Sequence, residues 1–171
     1  MDGLFRRQLA DYIEYHRDPR NSVMHVFGIL FLFLGSILPL SLLHISVFGV
    51  ETRLAVILAL PVLIYWLLLD TALGTAILGA AIVLLSVGAM IADCVSTTTM
   101  WSIFAALTAS GVTAQIVGHQ VFERRQPALM DNPTHLLLGP MFVMAKLFTA
   151  LGFRDDLAAI IEPPSPAVSP S

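Results

Sequence analysis

The chain has 171 residues, of which 57% are hydrophobic and only 12% are charged. A soluble globular domain carries roughly 25% charged residues, so the composition argues against a protein whose main solvent is water. The net charge of −3 is small and the arginines form no extended basic stripe, which excludes nucleic acid as an expected partner. The single cysteine, Cys94, cannot form an intramolecular disulfide or a CxxC metal site.

The N-terminal segment predicts an amphipathic helix at the membrane surface. Over residues 4–16, apolar side chains recur near one face of a 3.6-residue period, and charged side chains lie largely elsewhere. Asp18-Pro19 then interrupts the helix. Asn21 is interpreted either as the N-cap of the next helix or as a residue that supports a functional site. No cleaved signal peptide is predicted, since this segment is polar and charged.

Four apolar stretches predict membrane-spanning helices, namely residues 22–43, 54–69, 72–92 and 100–118. Each approaches the ~20 residues needed to cross a hydrocarbon core of ~30 Å, although the second is short. Pro39 and Pro61 are tolerable inside them because neighbouring helices can satisfy the backbone groups that proline frees. The predicted fold is an all-α polytopic membrane helical bundle of about four transmembrane helices, with interfacial helices at both ends.

The last apolar stretch, residues 134–152, contains Pro140 and a central Lys146. An isolated lysine at mid-bilayer is costly, so an interfacial or re-entrant helix is predicted here instead of a fifth span. Residues 1–154 are predicted to form a single integral-membrane domain. Residues 155–171, which end in a run rich in Pro and Ser, are predicted to be a disordered tail.

The positions of Lys and Arg predict the orientation of the bundle. Four arginines precede the first span and four basic residues follow the fourth, whereas only Arg53 lies in a connection. Because Lys and Arg are biased toward cytoplasmic segments, both termini are predicted to be cytoplasmic. The membrane is either a bacterial inner membrane or that of the endoplasmic reticulum. Two cytoplasmic ends require an even number of spans, which agrees with four.

This topology brings three histidines from distant parts of the sequence to the cytoplasmic interface. His16 precedes the first span, His25 lies in its first turns and His119 ends the fourth. His135 can reach the same level if the last apolar stretch is interfacial, whereas His44 belongs to the opposite side. A histidine at an interface is often only hydrated, but polar residues inside spans are expensive and usually functional. Imidazole suits iron, copper, zinc and nickel, so the cluster is predicted to bind a metal at the cytoplasmic face.

Further polar residues lie near this cluster. Gln115 and Glu123 are each one helical turn from His119, and they form a polar stripe with it if the helix continues beyond Gly118. Four arginines flank the first and fourth spans: Arg17, Arg20, Arg124 and Arg125. Their main predicted role is to set the topology. They are also candidates for binding an anionic head group of the substrate.

Two separated segments carry a family resemblance. YIEYHRDPRNSVMHVFG, residues 12–28, contains Tyr-x3-His and Asn-x3-His-x2-Gly, and QIVGHQVFERRQPAL, residues 115–129, contains Gln-x2-Gly-His-x2-Phe-Glu followed by Pro-Ala. Both segments are similar to patterns of the Mpo-type 2-hydroxy fatty acid dioxygenases and their bacterial relatives. Two motifs joined by several apolar spans are more specific than either motif alone. The likeness extends to about residue 152.

The resemblance implies a membrane enzyme that uses Fe(2+) and O2 to shorten long-chain 2-hydroxy fatty acids by one carbon, in fatty acid α-oxidation, with membrane lipid around it. It implies iron ligation by His16, His25, His119 and His135. It implies supporting catalytic roles for Tyr12, Asn21, Gln115 and Glu123. Some relatives carry a Glu at the position of Lys146, and this chain lacks that carboxylate.

Other classes of function remain open from the residues alone. Paired histidines could ligate haem iron for electron transfer, which a strong visible absorption band would reveal. A small transporter would need ionisable groups inside its spans, yet Asp70 and Asp93 lie only at span ends. A di-iron hydroxylase is disfavoured because the five histidines do not form a pair of HxxxH boxes. The oligomeric state is left open.

Overall fold

The computed structural model describes residues 2–124 and 135–161. Its helices are α1 (Asp2–Ile13), α2 (Pro19–Ser41), α3 (Leu54–Leu69), α4 (Thr71–Cys94), α5 (Thr97–Val117), a π-helix (Gly118–Glu123), α6 (His135–Ala150) and α7 (Asp155–Ile161). An antiparallel hairpin of β1 (His44–Val47) and β2 (Val50–Arg53) joins α2 to α3. The predicted all-α membrane bundle is confirmed, and the hairpin is a small addition that the sequence did not predict.

Within the described residues, three helices are long and apolar enough to cross a bilayer, namely α2, α4 and α5 together with the π-helix. The bent pair of α6 and α7 passes the same test if the two are taken as one span. The helix α3 is apolar but has only 16 residues, which is about 24 Å and shorter than the ~30 Å hydrocarbon core. It nevertheless connects the two ends of the bundle, because it begins at the hairpin and ends where α4 begins. Membrane crossing by α3, and with it the predicted set of four spans, stays a prediction.

The outer surface of these helices is apolar. Large side chains that are about half exposed include Phe27 on α2, Ile64 on α3, Val83 on α4 and Trp101 on α5. Soluble monomers rarely expose contiguous apolar patches of more than a few hundred Å². A bilayer solvates such a surface with hydrocarbon, so these positions fit lipid contact.

The buried core lies where α1, α6 and α7 meet the ends of α3 and α4. Phe5 and Leu9 of α1 are buried there with Phe142 of α6 and Leu157 of α7. The apolar face of α1, which we predicted to rest on the membrane surface, is therefore covered by protein. The helix also ends at Ile13, earlier than predicted.

The apolar stretch after residue 134 forms α6, and α7 follows it at an angle of 117°. The Lys146 ammonium donates a hydrogen bond to Ser22 Oγ over 2.7 Å, so its charge lies beside the first turns of α2. The boundary that we placed after residue 154 is wrong for Asp155–Ile161, which is helical because Leu157 and Ile161 bury against the core. Residues 162–171 of the predicted tail lie outside the described residues.

Ion pairs bring α1 and α7 to the same end of the bundle. Arg6 of α1 pairs with Asp156 of α7, and Arg154 pairs with Asp156 and with Asp70 between α3 and α4. At the opposite end, Arg53 of the hairpin pairs with Asp93 of α4. In the described part of the chain, α1 and α7 thus lie at one end of the bundle. That this side is cytoplasmic stays a prediction.

Candidate metal centre

Glycines let α2 and α5 approach closely. A Cβ added to Gly28 would lie 2.7 Å from Gln115 Nε2, and one added to Gly111 would lie 3.1 Å from the Gly28 carbonyl oxygen. Small residues serve the same purpose at many helix contacts in membranes. Each helix has another glycine at the contact seven residues later, Gly35 on α2 and Gly118 after α5. The end of α5 therefore lies directly against the beginning of α2.

The π-helix that continues α5 carries His119. Single π-turns inside α-helices frequently occur at functional sites. Gly118 starts this one and lies against Asn21 of α2, where an added Cβ would overlap the Asn21 side-chain oxygen. The centre of the His119 ring is 4.8 Å from that of His16 and 5.8 Å from that of His25. The predicted convergence of these three histidines is confirmed.

The three histidines could hold a metal ion. His16, His25 and His119 are all buried, and one ring nitrogen from each lies within 4.8 Å of the others. Within residues 2–124 and 135–161, His16 Nε2, His25 Nδ1 and His119 Nδ1 have no hydrogen-bond partner. A buried polar atom left unpaired costs about 1–3 kcal/mol. An unpaired nitrogen on each of three neighbouring rings provides a donor set that a metal would satisfy.

The backbone fixes the tautomer of His16. His16 Nδ1 lies 2.8 Å from the Tyr12 carbonyl oxygen, which can only accept, so Nδ1–H donates and Nε2 keeps its lone pair. Metal-bound histidines usually use their second ring nitrogen in this way. Burial lowers the pKa of His16 to about 3, so its imidazole is neutral at pH 7. The neutral ring is the form that binds metals.

Tyr12 orients two of the three rings. Its ring stacks on His16 with centres 4.2 Å apart and planes 10° from parallel, and its hydroxyl hydrogen-bonds with His25 Nε2. Since Nε2 of His25 is engaged, Nδ1 is the ring nitrogen without a hydrogen-bond partner among the described residues. Burial raises the pKa of Tyr12 well above its usual range, so the phenol keeps its proton.

Glu123 of the π-helix binds the loop that contains His16. Its Oε1 accepts hydrogen bonds from the backbone N–H of Asp18 over 2.8 Å and from Asn21 Nδ2 over 3.0 Å. The carboxylate is therefore occupied by the protein, and it does not belong to the three-histidine group. This geometry supports a positioning role for Glu123.

Asn21 belongs to the same network. Its Nδ2 also donates to the carbonyl oxygen of Tyr15 over 3.3 Å, so one side chain joins the loop, α2 and the π-helix. The interpretation of Asn21 as an N-cap is wrong, because α2 begins at Pro19 and Asp18 caps it by accepting from the Arg20 N–H. The alternative, that Asn21 supports the site, agrees with these contacts.

His135 and Gln115 lie at the same site without joining the group of three. His135 is buried at the start of α6, and its ring centre lies 5.5 Å from that of Tyr12. The hydrogen bond from Trp66 Nε1 to the Leu137 carbonyl oxygen, 2.7 Å long, attaches this end of α6 to α3. Gln115 lies beside His25. Metal ligation by His135 and a catalytic role for Gln115 stay predictions.

His44 lies apart from the cluster, as predicted. It is exposed in β1 and pairs with Arg53 across the hairpin. The hairpin follows the end of α2 that is opposite to His25, so the length of the helix separates the two side chains.

The arginines that we proposed for a substrate head group lie on the surface. Arg17, Arg20 and Arg124 are exposed, and Arg20 stands 5.9 Å above the centre of the Phe122 ring. None of these three lines the cavity described below. Arg125 lies outside the described residues. A head-group role for these arginines stays a prediction that their positions do not favour.

Sequence reasoning missed Phe142. This fully buried ring lies 5.3 Å from His16 and 5.2 Å from Tyr12, measured between ring centres. It closes the side of the site that faces α6. The available signal was its spacing, because Phe142 lies seven residues after His135 and therefore on the same helical face.

A cavity of about 530 Å³ extends from the histidines into the bundle. Its wall is polar at His16, His25 and His119 and becomes apolar between α2, α3, α5 and the start of α6. Ser36 at its far end follows His25 by about three helical turns, or ~16 Å along α2. The site therefore combines a polar head region with a long apolar extension.

These features define an α-helical membrane protein with a buried three-histidine candidate metal centre at the polar end of an apolar cavity. Residues 4–151 match the family described as 2-hydroxy-palmitic acid dioxygenase Mpo1-like. The chain is also 35% identical over 159 residues to the 2-hydroxy-palmitic acid dioxygenase MPO1 of Saccharomyces cerevisiae, across 92% of this chain and 87% of the yeast protein. The chain belongs to the Mpo1-like family, which confirms the resemblance of its two motifs. No solved structure matches it.

Proposed function

We propose that this protein is a non-haem Fe(2+)-dependent dioxygenase that shortens long-chain 2-hydroxy fatty acids by one carbon with O2. One observation carries the proposal: one nitrogen from each of three buried imidazoles lies within 4.8 Å of the others at the polar end of an apolar cavity, and each ring has a nitrogen without a hydrogen-bond partner among the described residues. The name of the yeast relative supports the class of substrate and the use of O2.

The donor set fits iron. Three neutral imidazoles leave coordination positions free on a metal, and zinc lacks the redox chemistry that O2 activation needs. When bound, a ferrous ion would hold the substrate through its carboxylate and hydroxyl oxygens and activate O2. His16, His25 and His119 would hold it, Tyr12 would orient two of them, and the surrounding apolar wall would exclude water.

The overall reaction balances without another reductant. One 2-hydroxy acid and one O2 contain the atoms of a fatty acid one carbon shorter, one CO2 and one water. The bond between C1 and C2 breaks, C2 becomes the new carboxyl carbon, and C1 leaves as CO2. O2 is the oxidant and takes the four electrons that the two carbons lose. The proposed enzyme therefore needs only the acid, O2 and its metal.

Haem-based electron transfer has no support in this geometry. The ring centres of His16 and His25 are 4.4 Å apart, and both rings contact His119 edge to face. Rings in mutual contact leave no room for a macrocycle between them. A small transporter is likewise not supported, since the proposed site is a cavity with one polar end.

Metal analysis of anaerobically purified protein, together with an O2-consumption assay, tests the proposal. We expect stoichiometric iron, a product one carbon shorter from a long-chain 2-hydroxy acid, and no product from the unsubstituted acid, which lacks the second chelating oxygen. Chelation should stop turnover and Fe(2+) should restore it. Unchanged turnover by metal-free protein, or no O2-dependent product from any long-chain 2-hydroxy acid, would contradict the proposal.

A further inference from the structure

Part of the cavity wall is formed by apolar side chains of α3 and α5. Val112 and Ile116 of α5 line it, yet 42% and 43% of their surfaces are exposed. Both residues lie in a helix that is long and apolar enough to span a membrane, so an opening beside them would face lipid. Such an opening would join the apolar part of the cavity to the hydrocarbon of the bilayer.

The floor of this opening is one face of α2. Ile29, Phe33 and Ser36 line it at spacings of three and four residues, which place them on one helical face beyond His25. The Ser36 hydroxyl donates to the Leu32 carbonyl oxygen over 2.6 Å, so its polar atom is satisfied within the helix. Val62 of α3 supplies the facing wall. We call the space between Ile29, Phe33, Ser36, Val62, Val112 and Ile116 the acyl groove.

We propose that the acyl chain of the substrate lies in the acyl groove, parallel to α2, and that the substrate enters and leaves sideways from the bilayer. The chemical identity of the substrate rests on the proposed function. The placement of the chain rests on the continuity between the groove and the histidines. A head group held at the histidines points its acyl chain along α2. An apolar chain moving from lipid into an apolar groove crosses no water.

An open-sided groove has a consequence for chain length. It aligns the ~16 Å of chain nearest the head group and lets the remaining carbons extend into lipid. Turnover should therefore stay nearly constant once the chain is longer than the groove. A closed tunnel would instead impose an upper limit on chain length.

Two pairs of variants separate the groove from the rest of the lipid-facing surface. Ser36 and Ser86 are both exposed serines that donate to the carbonyl four residues earlier, but only Ser36 lines the groove. Val112 and Val83 are both exposed valines, and Val83 lies on the outer face of α4. The test variants are Ser36→Leu and Val112→Phe, and the matched controls are Ser86→Leu and Val83→Phe.

In proteoliposomes, the two groove variants should raise KM for a long-chain 2-hydroxy acid roughly tenfold, since overfilling a packed site costs about that factor. Metal content and the controls should stay at the wild-type level. Groove variants that behave like their controls would overturn the placement. An upper limit on the chain length that the wild-type enzyme accepts would contradict the proposal that the groove is open on one side.

Photolabelling tests the groove without turnover. A 2-hydroxy fatty acid with a diazirine in the middle of its chain should label α3 and α5 near Val62 and Val112, and Val112→Phe should reduce that labelling. Labelling confined to other helices would overturn the placement. If labelling occurs in the groove while no 2-hydroxy acid is turned over, the proposed function fails and the groove stands. If turnover occurs and labelling lies elsewhere, the groove fails and the function stands.

Discussion

The side-chain oxygen of Asn21 lies directly against Gly118, so closely that a methyl group on Gly118 would overlap it. This contact joins the first turn of α2 to the residue that precedes His119. The position of one histidine therefore depends on the absence of a side chain at its neighbour.

We expect Gly118→Ala to displace Asn21 or the π-helix and to lower metal content and activity. Overpacking of this kind costs about 1–3 kcal/mol. Gly79→Ala is the matched control, because a Cβ at Gly79 meets no atom of the described residues within 4 Å. Iron per chain and the thermal unfolding midpoint measure the effect. Equal iron content in the two variants would show that the close contact does not position His119.

The three histidines should be required for metal binding, because one nitrogen of each lies within 4.8 Å of the others. We expect His16→Ala, His25→Ala and His119→Ala each to lose most of the bound iron and activity. His44→Ala should retain both, since His44 lies in the hairpin at the other end of α2. Elemental analysis of the purified variants checks this. Loss of metal in His44→Ala with retention in His119→Ala would show that the site is assembled differently.

Tyr12→Phe should keep the ring that stacks on His16 and remove the hydroxyl that holds His25. Loss of a partner behind a metal ligand typically lowers metal affinity or activity roughly 10- to 100-fold. Tyr65→Phe, in the half-buried part of α3, removes a phenol hydroxyl away from the site. Iron titration of the apoprotein compares the two. Identical affinities would mean that the Tyr12 hydroxyl does not orient His25.

Variants of Glu123 distinguish a positioning role of its carboxylate from metal ligation. Glu123→Gln keeps an oxygen that can accept from the Asp18 N–H and from Asn21, so it should retain most of the metal and activity. Glu123→Ala removes the acceptor and should lower both, since two buried or half-buried donors lose their partner at about 1–3 kcal/mol each. If Glu123→Gln were as defective as Glu123→Ala, the charge of the carboxylate would matter and ligation would regain support.

The orientation in the membrane can be read with the native thiol. Cys94 is exposed at the end of α4 that lies beside Asp93 and the hairpin, so it should react from outside the cytoplasm with a thiol reagent that does not cross membranes. A cysteine at exposed Gly3, in a Cys94→Ser background, should be protected in intact cells or sealed vesicles. The reverse pattern would place the metal centre on the non-cytoplasmic side.

The sequence by itself determined the class of fold and the layer in which the site lies. A helix in a bilayer satisfies its own backbone, so a long apolar run predicts a span without knowledge of its neighbours. Alternating spans then bring His25 at the start of one helix and His119 at the end of another to the same level. The two motifs that predicted the family contain those same histidines.

The tertiary structure decided how the histidines are presented. The free nitrogen of His16 depends on the Tyr12 carbonyl, and that of His25 depends on the Tyr12 hydroxyl. The role of Glu123 depends on a loop about a hundred residues away in sequence, which no helical periodicity encodes. The structure differs most from the sequence prediction at the chain ends and connections. There α1 buries its apolar face against α6 and α7, and residues 155–161 complete that core. Such contacts arise between segments that are distant in sequence, so only the packed fold selects them.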